Sequence, residues 1–267
     1  MEIIDLDSWE AFERTLSSFF TGWNELKREK RPMTVSTPVF RGQSDASWKL
    51  QTTLERFTNR TFSAFDYYKA IRSVKPAVVS MTEKEWKLPE FETFKEEDEI
   101  FHVPIGLEFM VYLRHHGFPS PLLDWTRSPY VAAFFAFRSP QVPNDGRVAI
   151  YSYVNWCGVP KGGCAGSPVV HGLGPYVETH KRHYAQQCEY TVCLKQVGDE
   201  HVYCSHESAF ADKSSDQGEL RKFTLPASER RNVLKQLHRM NVTSFALFGS
   251  EESLMETLAY QEIEDTN

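Results

Sequence analysis

The chain lacks any apolar run approaching the ~18 residues that a membrane-spanning helix needs, so no span and no membrane partner are expected. Its first residues, MEIIDLDSWE, contain no basic stretch leading into an apolar core, so a secretory signal is not expected either. Cysteine is sparse: Cys157, Cys164, Cys188, Cys193 and Cys204 make an odd set with no C-x-x-C. Without a secretion signal, that set reads as reduced thiols in a cytoplasmic protein. Positive charge is also short. A formal net charge of −6 argues against non-specific coating of nucleic acid, although a local basic groove is compatible with it.

Several chemical signatures are missing as well. There is no G-x-x-x-x-G-K-[ST] and no G-x-G-x-x-G, so neither a P-loop nor a Rossmann site is supported. No G-x-S-x-G nucleophile elbow occurs. Cys157 with Cys164, and His201 with Cys204 and His206, lack zinc-ligand spacing, so no metal site is expected. Internal repeats and low-complexity tracts are absent.

What is present suits a large folded unit. The 267 residues are 41% apolar and 13% aromatic, enough for a substantial core. Trp9, Phe12, Leu16, Phe19, Trp23 and Leu26 recur at helical spacing over residues 7–27, and Asp7 with Glu10 has capping-box spacing. This predicts an amphipathic N-terminal helix, closed by the basic run KREKR and set apart as an extension over residues 1–33. The main domain is expected over 34–267. A β-rich run at 34–40 places Arg41 on or just after a strand, and 47–56 reads as a turn entering a helix. Residues 61–101 read as helix with loops, and 105–116 as a helix stopped by Gly117.

Residues 122–126 are short and extended. Ser128-Pro129 then has the form of an N-cap followed by proline at the first helical position, ahead of the apolar helix YVAAFFAF. Strands are expected at 147–153, 189–194 and 244–248, a glycine-rich loop at 158–174, and helices at 178–187, 228–240 and 250–262. Strands and helices interleave without a βαβ rhythm. The fold class expected is α+β, a mixed sheet core with flanking helices.

Three segments concentrate groups that can do chemistry. In Phe40-Arg41-Gly42-Gln43, a guanidinium beside glycine suits a phosphate or a carboxylate, or a structural ion pair. Between two apolar helices, His115, Asp124, Trp125, Thr126 and Ser128 sit at a strand-to-helix turn. They either bind an anion there or satisfy orphan backbone donors. Asp124, between Leu123 and Trp125, is expected to be buried and chiefly architectural. The third segment carries His180, Arg182, His183, Gln186, Gln187 and Glu189 before and within a strand, where alternation would put Gln187 and Glu189 on one face.

In order, FRGQSDASWKLQTTLER (40–56), LRHHGFPSPLLDWTRSPYVAAFFAF (113–137) and RHYAQQCEYTV (182–192) resemble the motifs of the FRG domain family, over roughly residues 34 to 225. Cys188 stands where that family usually has glycine. More loosely, the layout is similar to the ADP-ribosyltransferase fold. That resemblance implies NAD as substrate and Arg41, Thr126 and Glu189 as catalytic groups. It implies Arg41, Gly42, Gln43, His115, Asp124, Trp125, Ser128 and Gln187 as cofactor-binding residues, with Gln186 an alternative late polar group. It further implies a toxin of a toxin–antitoxin or anti-phage system, with an antitoxin or regulatory protein as partner and RNA, DNA or protein as acceptor. A non-catalytic nucleotide- or nucleic-acid-binding module using the same residues is the alternative.

Overall fold

In β4 (Arg147–Val154), Val148, Ile150 and Val154 belong to one apolar cluster, while Ala149, Tyr151 and Tyr153 belong to another. A strand buried on both faces requires layers above and below the sheet. The structure, a computed structural model, describes residues 1–29, 35–90, 103–156, 166–178, 181–211 and 217–264. The end of the KREKR run, the last part of the expected helical stretch at 61–101, Cys157, Cys164, the first half of the glycine-rich loop and His180 lie outside the described residues.

Among the described residues, eight strands form one mixed sheet. Its order is β1 (Glu2–Asp5), β8 (Glu219–Pro226), β4, β2 (Val39–Gln43), β3 (Leu123–Thr126), β6 (Cys188–Val197) and β5 (Val169–Gly174), with β7 (Glu200–Tyr203) pairing with β6. β1 and β8 run parallel, and the other pairs are antiparallel. The α+β class expected from the sequence is therefore present.

The N-terminal helix α1 (Trp9–Glu29) buries Trp9, Phe12, Leu16 and Phe19 on one face of the sheet, with Phe19 edge-on to Phe40 and Phe223. Its cap differs from the expected Asp7 box. The helix starts at Trp9, so Ser8 is the preceding residue, and its Oγ accepts from Ala11 N at 3.2 Å. β1 and α1 share sheet and core with the rest of the chain.

On the other side lie α2 (Thr53–Phe57), α3 (Ala64–Thr82) and α4 (Leu107–His115). α3 and α4 form a second apolar cluster with Tyr190, Val192 and Leu194 of β6. Gly117 ends α4 in the left-handed region at φ 87°. α5 (Pro129–Phe137) is capped by Ser128, begins with proline and buries seven of its nine residues. Five further α-helices follow among the described residues: α6 (Lys181–Ala185), α7 (His206–Ala209), α8 (Arg230–Arg239), α9 (Ser244–Phe248) and α10 (Glu251–Ala259).

Two expectations are corrected. Residues Ser244–Phe248 form helix, not strand: Thr243 Oγ1 accepts from Ala246 N at 3.1 Å and Gly249 closes the turn at φ 61°. These two caps outweigh the weak β preference of five residues. The end of the expected glycine-rich loop is strand β5, whose register shifts between Gly172 and Gly174. The glycines there accommodate an irregularity within a strand.

The feature that positions the site is a split in the sheet. β2 pairs with β4 at five positions but with β3 only at Phe40↔Thr126. α5 packs so closely over β2 that a Cβ on Gly42 would lie 1.9 Å from Ala132 O and 2.6 Å from Ala136 N. Gly42→Ala must push α5 off the strand, and a stability loss of about 1–3 kcal/mol is expected in urea unfolding. Unchanged stability would mean that α5 yields freely.

Candidate functional site

Where β2 and β3 diverge, a cavity of 390 Å³ opens, lined by residues of both strands and of the elements around them. Arg41 spans the split: its Nη1 donates to the backbone oxygen of Asp124 at 2.8 Å, while its Nε is buried without a hydrogen-bond partner. Gln43, two residues on, donates through Nε2 to Lys49 O at 3.2 Å and leaves Oε1 buried and unpartnered. Trp48, Phe135 and Phe248 supply aromatic walls, and Trp48 is half exposed.

Charge in the cavity is unbalanced. Arg114 grips both oxygens of Asp124 with Nε and Nη2, and its Nη1 donates to Thr53 Oγ1 at 2.8 Å. Burial alone would raise the Asp124 carboxyl. The charge and hydrogen bonds of Arg114, with Arg41 and His115 further off, outweigh that and hold it below the usual carboxylate range. The Arg41 guanidinium is lowered as well, which in its case disfavours the charged form. Burial and repulsion from Arg114 and Arg56 lower it to about 10 against the attraction of Asp124. Burial and Arg114 lower Arg56 too. Arg41, Arg56 and Arg114 thus all draw on the Asp124 carboxylate, with Glu55 a second attraction for Arg56 alone, and Arg182 adds a fourth guanidinium to the lining.

His115 is held by a directional chain. The carbonyl oxygen of Pro175 only accepts, so His183 Nε2, 3.3 Å away, carries a proton. Burial lowers the His183 pKa, and in the neutral ring Nδ1 is an acceptor. Tyr190 OH, 3.1 Å from that Nδ1, therefore donates to it and accepts from His115 Nε2 at 2.9 Å. His115 therefore carries hydrogen on Nε2. Trp125 is likewise fixed: its Nε1 donates to Thr191 Oγ1 at 2.8 Å, inside the fold.

Of the residues singled out from the sequence, Arg41, Gly42, Gln43, His115, Asp124, Trp125, Thr126 and Gln186 line the cavity. Ser128 does not; it accepts from Val131 N at 3.3 Å as the cap of α5, and Thr126 Oγ1 accepts from Ser128 N at 3.1 Å. Gln187 and Glu189 are not brought to the cavity, whose lining takes Gln186 and Cys188 instead. Glu189 is ion-paired with Arg127 on the strand position opposite Trp125. The expected alternation of Gln187 with Glu189 fails because β6 begins at Cys188, and Gln187 sits in a turn at φ 50°.

Arg114 and Arg56 were not singled out. Arg114 had a legible signal: it follows Met110 and Val111 at helical spacing, on the stripe that packs inward. A buried cation there requires a buried anion, and Asp124 lies between two core residues. Trp48 and Phe248 carried no comparable signal. Among the described residues, no group of three or more His, Cys, Asp or Glu side chains is placed to hold a metal ion, and no helix is long and apolar enough to cross a membrane.

Asp124→Asn removes the counter-charge of a buried guanidinium. Breaking such a pair costs about 3–5 kcal/mol, and because the Asp124 side chain is 35% exposed the loss expected at pH 7 is about 3 kcal/mol. The folded-state carboxyl ionises below the ~3.9 of an unfolded aspartate, so its stabilisation is complete above that pH and disappears as pH falls through the lowered value. Urea unfolding of the wild type and the variant should therefore converge in acid. Equal stability at pH 7 would mean that Thr53 alone suffices for Arg114.

Comparison with known proteins returns one relationship. No curated protein and no solved structure matches the chain. A family model, that of the FRG domain, does match residues 36–145, a stretch that includes β2, the α3 and α4 layer, β3 and α5.

Proposed function

We propose that the cavity binds a phosphate-bearing nucleotide and that, with NAD as that nucleotide, the chain acts as an ADP-ribosyltransferase. The observation that carries the nucleotide reading is the excess of guanidinium over carboxylate in a cavity with aromatic walls. A phosphate would take up the unpaired Arg41 Nε and the Arg56 side chain, which makes no hydrogen bond among the described residues. Trp48, Phe135 or Phe248 would stack on a base or a nicotinamide ring. The transfer reading is supported by the adjacency of the three motif strands, β2, β3 and β6, in that order across the sheet.

In such a transfer, the bond between ribose C1′ and the nicotinamide nitrogen breaks and nicotinamide leaves as a neutral molecule. C1′ then bonds to an acceptor nucleophile, which gives up a proton. The Thr126 hydroxyl and His115 stand in the lining as partners for ribose hydroxyls. A carboxylate stabilises the developing positive charge best, and Glu189 would supply it only on release from Arg127 and on a shift of β6 that brings it to a lining it does not reach. That requirement favours a second reading, nucleotide binding without chemistry, because no glutamate lines the cavity among the described residues. As a toxin, the chain would need an antitoxin or regulatory protein able to cover the cavity.

Labelled NAD incubated with separate pools of protein, RNA and DNA tests transfer, with nicotinamide release as the second readout. Arg56→Ala is expected to weaken nucleotide binding about tenfold to a hundredfold with an unchanged unfolding midpoint. Glu189→Gln is expected to lower turnover about 100-fold with little loss of NAD affinity. Binding without nicotinamide release establishes the second reading, and no nucleotide binding at all removes both.

A further inference from the structure

Behind the cavity, on the far part of β6, two thiols face each other across a strand pair. The β6–β7 register runs Leu194↔Tyr203, and one step further Cys204 N donates to Cys193 O at 3.0 Å. Their sulfurs lie 3.4 Å apart, in contact without a bond. The two residues differ in access: Cys193 is buried among apolar side chains, whereas Cys204 is half-buried at the start of the turn into α7.

We infer that Cys193 and Cys204 form a peroxide-reactive dithiol, with Cys204 the attacking thiol and Cys193 the resolving one. The assignment follows from the geometry, since a hydroperoxide reaches the half-buried sulfur and the buried one is already in contact with it. The electrostatics agree: a hydrogen bond from the Cys193 thiol, with Lys195 and Ser208, outweighs burial and Glu55 and lowers the Cys204 thiol below its ordinary value. The first step forms a bond from Cys204 Sγ to one peroxide oxygen and breaks the O–O bond; hydroxide leaves and takes a proton to become water. In the second, the Cys193 thiol gives up its proton and its sulfur bonds to Cys204 Sγ, displacing hydroxide, which takes that proton and leaves as the second water. The dithiol loses two electrons and the peroxide gains them.

The oxidation would be felt at the cavity wall. The helix that follows Cys204, α7, carries Glu207, whose Oε1 accepts from Leu50 N at 2.7 Å; Leu50 closes the loop that bears Ser44 and Trp48 of the lining. The same helix carries His206, whose Nε2 contacts the Thr191 hydroxyl that accepts from Trp125.

The test uses the full chain, treated with hydrogen peroxide, alkylated in denaturant without reductant and mapped by peptide mass spectrometry. A Cys193–Cys204 linkage, reversed by dithiothreitol, is the expected result. Cys193→Ser should instead accumulate sulfenic acid on Cys204, trapped by dimedone. Linkage of either cysteine to a different partner, labelling of Cys193 ahead of Cys204, or two free thiols after treatment that oxidises glutathione would each overturn the inference. The wild-type map decides the pairing even if the variant folds poorly.

Discussion

Asp124 is one carboxylate in the midst of three guanidinium groups, and the geometry of the site follows from how they share it. Arg114 takes both of its side-chain oxygens from the helix side of the sheet, while Arg41 takes its backbone oxygen from the neighbouring strand. β2 and β3 pair at a single position, so these contacts hold together the two sides of a split that backbone hydrogen bonding does not close. The carboxylate's charge is committed to Arg114, the least exposed of the pair's two side chains. Arg41 and Arg56 keep positive charge that Asp124, and for Arg56 also Glu55, offsets only in part.

This division explains why Arg41 is an unusual structural residue. A guanidinium placed only to brace two strands would have its donors used, and the buried Nε of Arg41 is not. Gln43, on the same strand, likewise has a buried and unsatisfied oxygen. Two unpaired polar atoms, one donor and one acceptor, on residues that line one cavity are a cost that a polar partner could offset.

Much of this was legible in the sequence, and the limits of legibility have physical causes. α1, α4 and α5 were readable because each announces itself locally, by an apolar stripe, a glycine stop or a Ser-Pro cap. The need of Asp124 for donors was readable because it lies between leucine and tryptophan, but its expected full burial was not met: the side chain is half-buried and lines the cavity. Its partner Arg114 required knowing that α4 turns that position inward, which is a tertiary fact. β1 and β8 left no clear mark: their pairing joins residues 2–5 to 221–224, and such distant registers are invisible to periodicity. The third motif misled at one residue. Extending the strand back to Gln187 assumed β geometry where the chain turns through the left-handed region, and one residue of error in a period-two pattern exchanges the faces.

The site is also larger than the stretch matched to the FRG domain. Residues 36–145 supply Arg41, Arg56, Arg114, His115 and Asp124, most of the titratable lining of the cavity. Arg182, Gln186, Cys188 and Phe248 complete the lining from beyond it. The dependence is structural as well as chemical. β2 holds its register through five pairs with β4, and β3 through four pairs with β6, both strands outside the matched stretch. Without them, the two strands that carry Arg41 and Asp124 would have only Phe40↔Thr126 in common, too little to fix a guanidinium against a backbone oxygen. The matched stretch therefore carries every charge of the lining but Arg182, and the rest of the sheet holds Arg41 and Asp124 at working distance.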